Sequence, residues 1–159
     1  WGRMNEPDVY LDDFHVRTAS VIRLRSRFVQ LADALIEQGE TTRALQVLDR
    51  VVEITPHEKI PYDHTIIQIA NGYYRCKEIE KGNELVNKLA VISDEKLTYY
   101  LDQNPRFIDS FNNEILYQFQ IMQNLMNICT SYNQKDISDN INEISTKHYA
   151  TYTRLINGI

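Results

Sequence analysis

Apolar residues recur every three or four positions along most of the chain, the spacing that one face of an α-helix requires. The first apolar run stops at Gly39, a residue type that often follows the last turn of a helix. The second run ends before Pro56, because proline cannot continue a helix. Further helical runs lie beyond Pro61 and beyond Pro105. The pattern predicts six main helices in three antiparallel pairs, since short connections make sequential helices pack side by side.

Two segments share the spacing of a tetratricopeptide repeat, a two-helix unit of about 34 residues. At certain positions the repeat requires a residue of a particular size. In the first unit these positions hold Phe28, Leu31, Ala32, Leu35, Gly39, Ala44, Leu48, Val51 and Pro56. The second unit repeats these sizes at Ile66, Ile69, Ala70, Tyr73, Gly82, Val86 and Leu89. The third pair keeps the helical spacing without the small residue. We therefore predict an all-α, tetratricopeptide-like right-handed superhelix whose last pair is degenerate or serves as a cap.

We expect a single helical-repeat domain over residues 1–159. Its predicted parts are an extended N-terminal segment (1–10), a first helix pair (11–56), a second pair (63–103) and a third, degenerate pair (107–157). Residues 115–134 contain no charge but include seven amide side chains, which are costly to bury in lipid, so this stretch is predicted to be a core helix. The net charge of −5 argues against general nucleic-acid binding.

Chemical motifs are few. The sequence has no HExxH, GxSxG, glycine-rich phosphate loop or paired-cysteine motif, so we assign no catalytic residue, metal or cofactor. Asp8, Asp12, Asp13 and His15 could ligate a cation, but their irregular spacing favours helix capping or surface exposure. Cys76 and Cys129 are expected to be buried thiols, with a disulfide as the alternative in an oxidising compartment.

Arginines at 17, 23, 25 and 27 give the first helix a basic section. We interpret it as a solvated face that pairs with acidic neighbours. The alternative is that Arg23 and Arg27, one turn apart, clamp a phosphate or an anionic lipid headgroup.

The concave wall of such an array is built from side chains of the first helix of each pair that packing does not require. These positions are Ser26, Val29, Asp33, Ile36 and Glu37 in the first unit and His64, Ile67, Asn71, Tyr74 and Arg75 in the second. We select as the candidate partner-binding groove Asp33, Glu37, His64, Asn71, Tyr74 and Arg75. This mixture suits a protein or peptide partner, with Tyr74 and Arg75 as anchors, unless the third pair covers the groove.

The segment WGRMNEPDVYLDD (1–13), the arginine-rich helix, the well-formed repeat and the IPYD link (60–63) resemble one protein group. These are multi-pass membrane proteins of Bacteroidetes whose N-terminal domain of unknown function is related to protein O-mannosyltransferases. The resemblance extends from Trp1 to about Leu101. It implies a soluble accessory domain at the periplasmic face of the inner membrane, attached to a glycosyltransferase whose catalytic residues lie in its membrane half.

The expected function is therefore a non-catalytic interaction or scaffolding module. Its partner would be a protein, a peptide or the membrane half of its own parent chain, and not a nucleic acid. Two alternatives remain at this point: a purely structural cap that stabilises the membrane half, and an independent enzyme domain. An enzyme would require a pocket with convergent titratable groups of perturbed pKa.

Overall fold

A computed structural model describes residues 3, 5–10, 12 and 21–157. The structure is 78% helical, and none of the described residues lies in a β-strand. In this described part of the chain, six α-helices pack in neighbouring pairs. This confirms the predicted all-α class and a helix content well above the average of about one-third.

The helix bounds follow the predicted runs closely. In chain order the helices are α1 (Val21–Glu37), α2 (Thr41–Ile54), α3 (Thr65–Arg75), α4 (Ile79–Leu101), a 3₁₀ helix (Pro105–Phe111), α5 (Asn112–Ser131) and α6 (Lys135–Ile156). The breaks coincide with Gly39, with the proline-containing link 55–64 and with Asn104, whose side chain accepts a hydrogen bond from the Arg106 N–H.

The three links α1–α2, α3–α4 and α5–α6 share one backbone conformation. Each has one residue with positive φ: Gly39 (77°), Lys77 (65°) and Asn133 (59°). In each link the next N–H donates to a carbonyl five residues back: Glu40 to Leu35 (2.8 Å), Glu78 to Tyr73 (2.9 Å) and Gln134 to Cys129 (2.8 Å). This bond is the signature of a Schellman helix cap. Each second helix begins two residues after the positive-φ residue, so the three hairpins start in the same register.

A small residue follows each link at the same distance. Ala44, Gly82 and Ser138 each lie five residues after the positive-φ residue and donate a backbone hydrogen bond to the residue just before the second helix. The expectation that the third pair lacks this small residue is therefore wrong. In the α5–α6 link before Ser138 the positive φ falls on Asn133 rather than on a glycine. Asparagine supplies the left-handed conformation there, which its short polar side chain tolerates better than most.

The chain divides into two compact units, 1–85 and 86–159, here called the N-terminal and C-terminal units. The boundary falls inside α4 and not at one of the predicted links. The arrangement of three helix pairs in one continuous domain therefore stays a prediction.

In the N-terminal unit, α3 packs against both α1 and α2. The backbone of α3 approaches α2 so closely that a Cβ at Gly72 would lie 3.0 Å from the Leu48 side chain. The predicted small position Ala44 is fully buried. Two residues of α1 exchange their expected roles, because its buried stripe runs through Val29 and Ala32. Leu31 lies at the edge of that stripe and is 51% exposed, whereas Val29, which packing was not expected to require, is only 7% exposed.

Arg25 contradicts the prediction of a solvated arginine face. It is completely buried, and its guanidinium donates to Thr55 Oγ1 (3.1 Å) and to the carbonyls of Thr55 (3.1 Å), Ile60 (2.7 Å) and Pro61 (3.0 Å). Burial lowers the pKa of Arg25, and the Asp63 carboxylate, 3.8 Å away, opposes this shift. Arg25 therefore fixes the link between α2 and α3 to α1. Arg23 and Arg27 are exposed, while Arg17 lies outside the described residues.

In the C-terminal unit, α5 and α6 form a hairpin that also contacts the 3₁₀ helix. The Tyr152 hydroxyl near the end of α6 donates to the Asn112 side chain at the start of α5 (2.5 Å), as an antiparallel pair requires. His148 Nε2 lies 2.5 Å from Asp94 Oδ1, which joins α6 to α4. α5 buries Ile115, Met122 and other apolar residues, which confirms a core helix. Within the described ranges no helix is long and apolar enough to cross a bilayer.

Candidate functional site

A groove of about 450 Å³ lies between α1 and α3 in the N-terminal unit. We call it the α1/α3 groove, and its lining residues are Ser26, Val29, Gln30, Asp33, Gln68 and Asn71. Four of these, Ser26, Val29, Asp33 and Asn71, are positions that the repeat pattern assigns to the concave wall. The first helices of two consecutive pairs therefore line one groove.

The lining of the α1/α3 groove is rich in amides. Val29 is 7% exposed and contributes apolar surface, while Gln30, Gln68 and Asn71 bring carboxamides that both donate and accept hydrogen bonds. Gln30 Oε1 also accepts a bond from the Arg27 guanidinium (2.8 Å). Gln30 and Gln68 were missed in the sequence, because glutamine on a helix surface usually indicates only solvent exposure.

Asp33 supplies the one carboxylate among the six lining residues, and it forms an ion pair with Arg75 at the end of α3. The side chains of Asp33 and Arg75 are 41% and 30% exposed, so water reaches both partners. A pair this exposed contributes little to stability, roughly 0–1 kcal/mol. Little free energy is therefore needed to separate Asp33 from Arg75, and both charges are accessible to an incoming ligand.

Tyr74 is not part of the α1/α3 groove, which corrects its assignment as a binding anchor. It is 2% exposed, its ring lies against Gly82 at the start of α4, and its hydroxyl donates to Asn83 Oδ1 (2.7 Å). The spacing rule placed Tyr74 on the concave face because it assumed that packing needs only Tyr73. Gly82 of α4 has no side chain and so admits the Tyr74 ring as well.

The remaining candidate positions lie around the groove rather than in it. Glu37 is the exposed last residue of α1, and the exposed His64 directly precedes α3. Ile36 and Ile67 are half-buried and also do not line the groove. Of the six residues of the candidate partner-binding groove, the structure places Asp33 and Asn71 in one groove, with Arg75 attached through its ion pair.

The described residues add no candidate for a metal site or a reactive thiol. Among the described residues, no group of three or more His, Cys, Asp or Glu side chains is arranged to hold a metal ion. Asp8 is exposed and pairs with Arg3 (2.5 Å), while Asp13 and His15 lie outside the described residues. Cys76 and Cys129 are buried thiols, and burial raises the pKa of Cys76, so its reactive thiolate is disfavoured.

Comparison with protein-family models, with curated proteins and with solved structures finds no match. The resemblance to the mannosyltransferase-related membrane proteins therefore rests on the sequence segments quoted above.

Proposed function

We propose that this chain is a non-catalytic protein-interaction module that binds an extended peptide segment along the α1/α3 groove. The observation that carries this proposal is the combination of carboxamides from two helices around one groove. An extended peptide presents alternating N–H and C=O groups, and a carboxamide offers one donor and one acceptor edge to such a backbone.

The charges at the end of the groove favour a basic side chain in that peptide. Asp33 lines the groove, whereas Arg75 reaches it only through Asp33. A lysine or arginine of the ligand would compete with Arg75 for the carboxylate at small cost, because the existing pair is solvent-screened. Such a contact tunes selectivity and association rate more than affinity.

The wider context is also a proposal. The identical Schellman links and the repeated small residue support stacking of the helix pairs as a tetratricopeptide-like superhelix. The resemblance of residues 1–13 and 60–63 supports attachment to a membrane-bound glycosyltransferase-like parent with this module on the periplasmic face. In that setting the ligand would be a segment of the parent or of an associated protein.

Selection from a displayed library of random peptides tests the groove directly. Peptides enriched on the full chain should lose about tenfold or more in affinity with Asn71→Leu, which removes the amide at similar volume. Gln46→Leu is the matched control, since Gln46 is an exposed amide on α2. Asp33→Asn should abolish any enrichment of lysine and arginine in the selected peptides.

Two results would contradict the proposal. Peptides that bind Asn71→Leu and wild type equally would exclude the α1/α3 groove as their site. Turnover of a sugar donor by the isolated chain would contradict the non-catalytic assignment, whatever the groove binds.

A further inference from the structure

A second groove lies between α5 and α6, entirely within the C-terminal unit, and has a volume of about 500 Å³. We call it the α5/α6 groove. Leu116, Phe119 and Met126 line it from α5, and Asn142, Ser145 and Tyr149 line it from α6. None of its nine lining residues carries a charge, although a quarter of the chain is charged. The groove thus combines apolar side chains with neutral hydrogen-bonding ones.

Because the links share one backbone conformation, positions in different hairpins can be compared by counting residues from the positive-φ residue of each link. Counted this way, Ala32 and Met126 are equivalent, each seven residues before Gly39 or Asn133. Two positions on the second helix correspond in the same way. Leu48 is equivalent to Asn142, nine residues after the turn, and Val51 is equivalent to Ser145, twelve residues after it.

In the N-terminal unit these equivalent positions are filled. Ala32, Leu48 and Val51 are at most 1% exposed. α3 packs on both helices of that hairpin, and its Gly72 backbone lies against Leu48. In the C-terminal unit Met126 and Ser145 are only half-buried and Asn142 is exposed, and all three line the open groove. Among the described residues, the α5/α6 hairpin therefore leaves open the surface that corresponds to the one on which α3 packs in the α1/α2 hairpin.

We propose that the α5/α6 groove binds an amphipathic α-helix of a partner protein, laid along it as α3 is laid on α1 and α2. The lining residues of α5 run from Leu116 to Met126, which is about 15 Å or three turns at 1.5 Å per residue. α3 itself has 11 residues. The length of the groove thus matches a helix of the size that the chain already packs in this way.

The lining defines the chemistry of that partner helix. Its docking face is uncharged, because no lining residue of the groove would neutralise a buried charge. A small residue faces Asn142, as Gly72 faces Leu48, so that the backbones approach closely. Apolar side chains pack on Leu116 and Tyr149, which are 47% and 59% exposed without it, and amides or hydroxyls pair with Asn142 and Ser145.

Two positions of the α5/α6 groove are polar where the α1/α2 hairpin has apolar residues, and this difference indicates a separate partner that binds reversibly. Leu48 and Val51 would be costly to expose, and α3 of the same chain packs on their hairpin with Gly72 against Leu48. Asn142 and Ser145 carry polar groups that water can satisfy, so leaving the groove empty costs the hairpin little. This is the property expected of a surface that a binding partner enters and leaves.

A fluorescent peptide with the α3 sequence, Thr65–Arg75, serves as the helical probe. The chain's own α3 occupies the site on α1 and α2, so added peptide reports on the α5/α6 groove. We expect saturable binding to the full chain by fluorescence anisotropy. Thr146→Arg, which places a charge in the groove, should weaken binding about tenfold or more, since an unpaired charge is costly to desolvate. Asn140→Arg, at an exposed α6 position outside the lining, is the matched control and should bind like wild type.

A second variant reverses the natural difference between the hairpins. Asn142→Leu combined with Ser145→Val gives α6 the residues that α2 has at these positions, and should tighten binding of the α3 peptide about tenfold. Because the substituted residues are exposed or half-buried, the fold does not depend on them.

Three outcomes would overturn the proposal. One is no saturable binding to the wild-type chain. Another is binding that Thr146→Arg leaves intact but Asn71→Leu removes, which would place the peptide in the α1/α3 groove. The third is a dimer in sedimentation velocity that Thr146→Arg dissociates, which would identify a second copy of the chain as the occupant.

Discussion

The ring of Tyr74 lies on the backbone of Gly82, so that a Cβ at residue 82 would be only 2.5 Å from Tyr74 Cε1. The ring cannot easily move away, because it is buried and its hydroxyl is bonded to Asn83. Gly82→Ala gains about 1 kcal/mol of helix propensity but introduces overpacking that typically costs about 1–3 kcal/mol. We expect a net loss of stability of about 1 kcal/mol, measured by urea denaturation.

A double-mutant cycle isolates the contact. In a Tyr74→Leu background the ring is gone, so Gly82→Ala should become neutral or stabilising. Asn87→Ala, at an exposed position of α4, controls for helix propensity alone. A Gly82→Ala protein that is more stable than wild type would show that α4 tolerates a side chain there.

Replacing Arg25 should destabilise the chain more than any other arginine substitution discussed here. Arg25→Met leaves the carbonyls of Thr55, Ile60 and Pro61 without their donors in a buried site. Removing one side of a buried charged network typically costs about 3–5 kcal/mol. Arg27→Met is the control, because Arg27 is exposed and bonds only Gln30 among the contacts described.

The unfolding midpoint in urea, together with protease cleavage in the 56–62 link, gives the measurement for Arg25→Met. A lower midpoint with earlier cleavage in that link is the expected pair of results. A midpoint equal to that of Arg27→Met would mean that other contacts hold the link in place.

Arg25 also shows where sequence reasoning stops. Helix periodicity predicted the fold class and the helix ends, because those depend on local spacing and on residues such as Gly39 and Pro56 that act through backbone geometry. An arginine in a basic stretch such as residues 23–27 is ordinarily solvated. Its burial depends on carbonyls that the link presents 30 to 36 residues later, and no local pattern encodes that arrangement.

Only part of the candidate groove could be predicted, because its other residues also depend on tertiary packing. Asp33 and Asn71 follow from the repeat register, which fixes the face of each first helix. Tyr74 was assigned to that face but is buried outside the groove, because the crossing of neighbouring helices decides which edge of a stripe is covered. Periodicity assigns residues to a helix face with a precision of about one position, and the identification of a binding site requires a higher precision.

Tyr73 should make stability fall at high pH. Burial, together with the hydrogen bond from its hydroxyl to Asp49 Oδ1 (2.7 Å), raises the pKa of Tyr73 well above its ordinary value near 10. Above about pH 10 the unfolded chain therefore loses this proton while the folded chain keeps it, so the free energy of unfolding decreases with rising pH.

Tyr73→Phe tests this linkage by denaturation at pH 8, 10 and 11. The variant should lose stability less steeply than wild type, by up to about 1.4 kcal/mol per pH unit. Tyr99→Phe is the control, since Tyr99 is 60% exposed. Parallel slopes for Tyr73→Phe and wild type would show that Tyr73 ionises equally in both states.

Lys77→Gly should stabilise the chain, because Lys77 adopts at the α3–α4 link the positive φ that glycine adopts at the α1–α2 link. A side chain in this conformation costs about 1–2 kcal/mol, and part of the gain is offset by about 0.4–1 kcal/mol of extra entropy in the unfolded chain. We expect a net increase of about 0.5–1 kcal/mol in urea denaturation. Asn133→Gly should gain less, since asparagine tolerates positive φ, and Gly39→Ala should lose stability. A less stable Lys77→Gly protein would mean that the Lys77 side chain contributes more than its backbone strain costs.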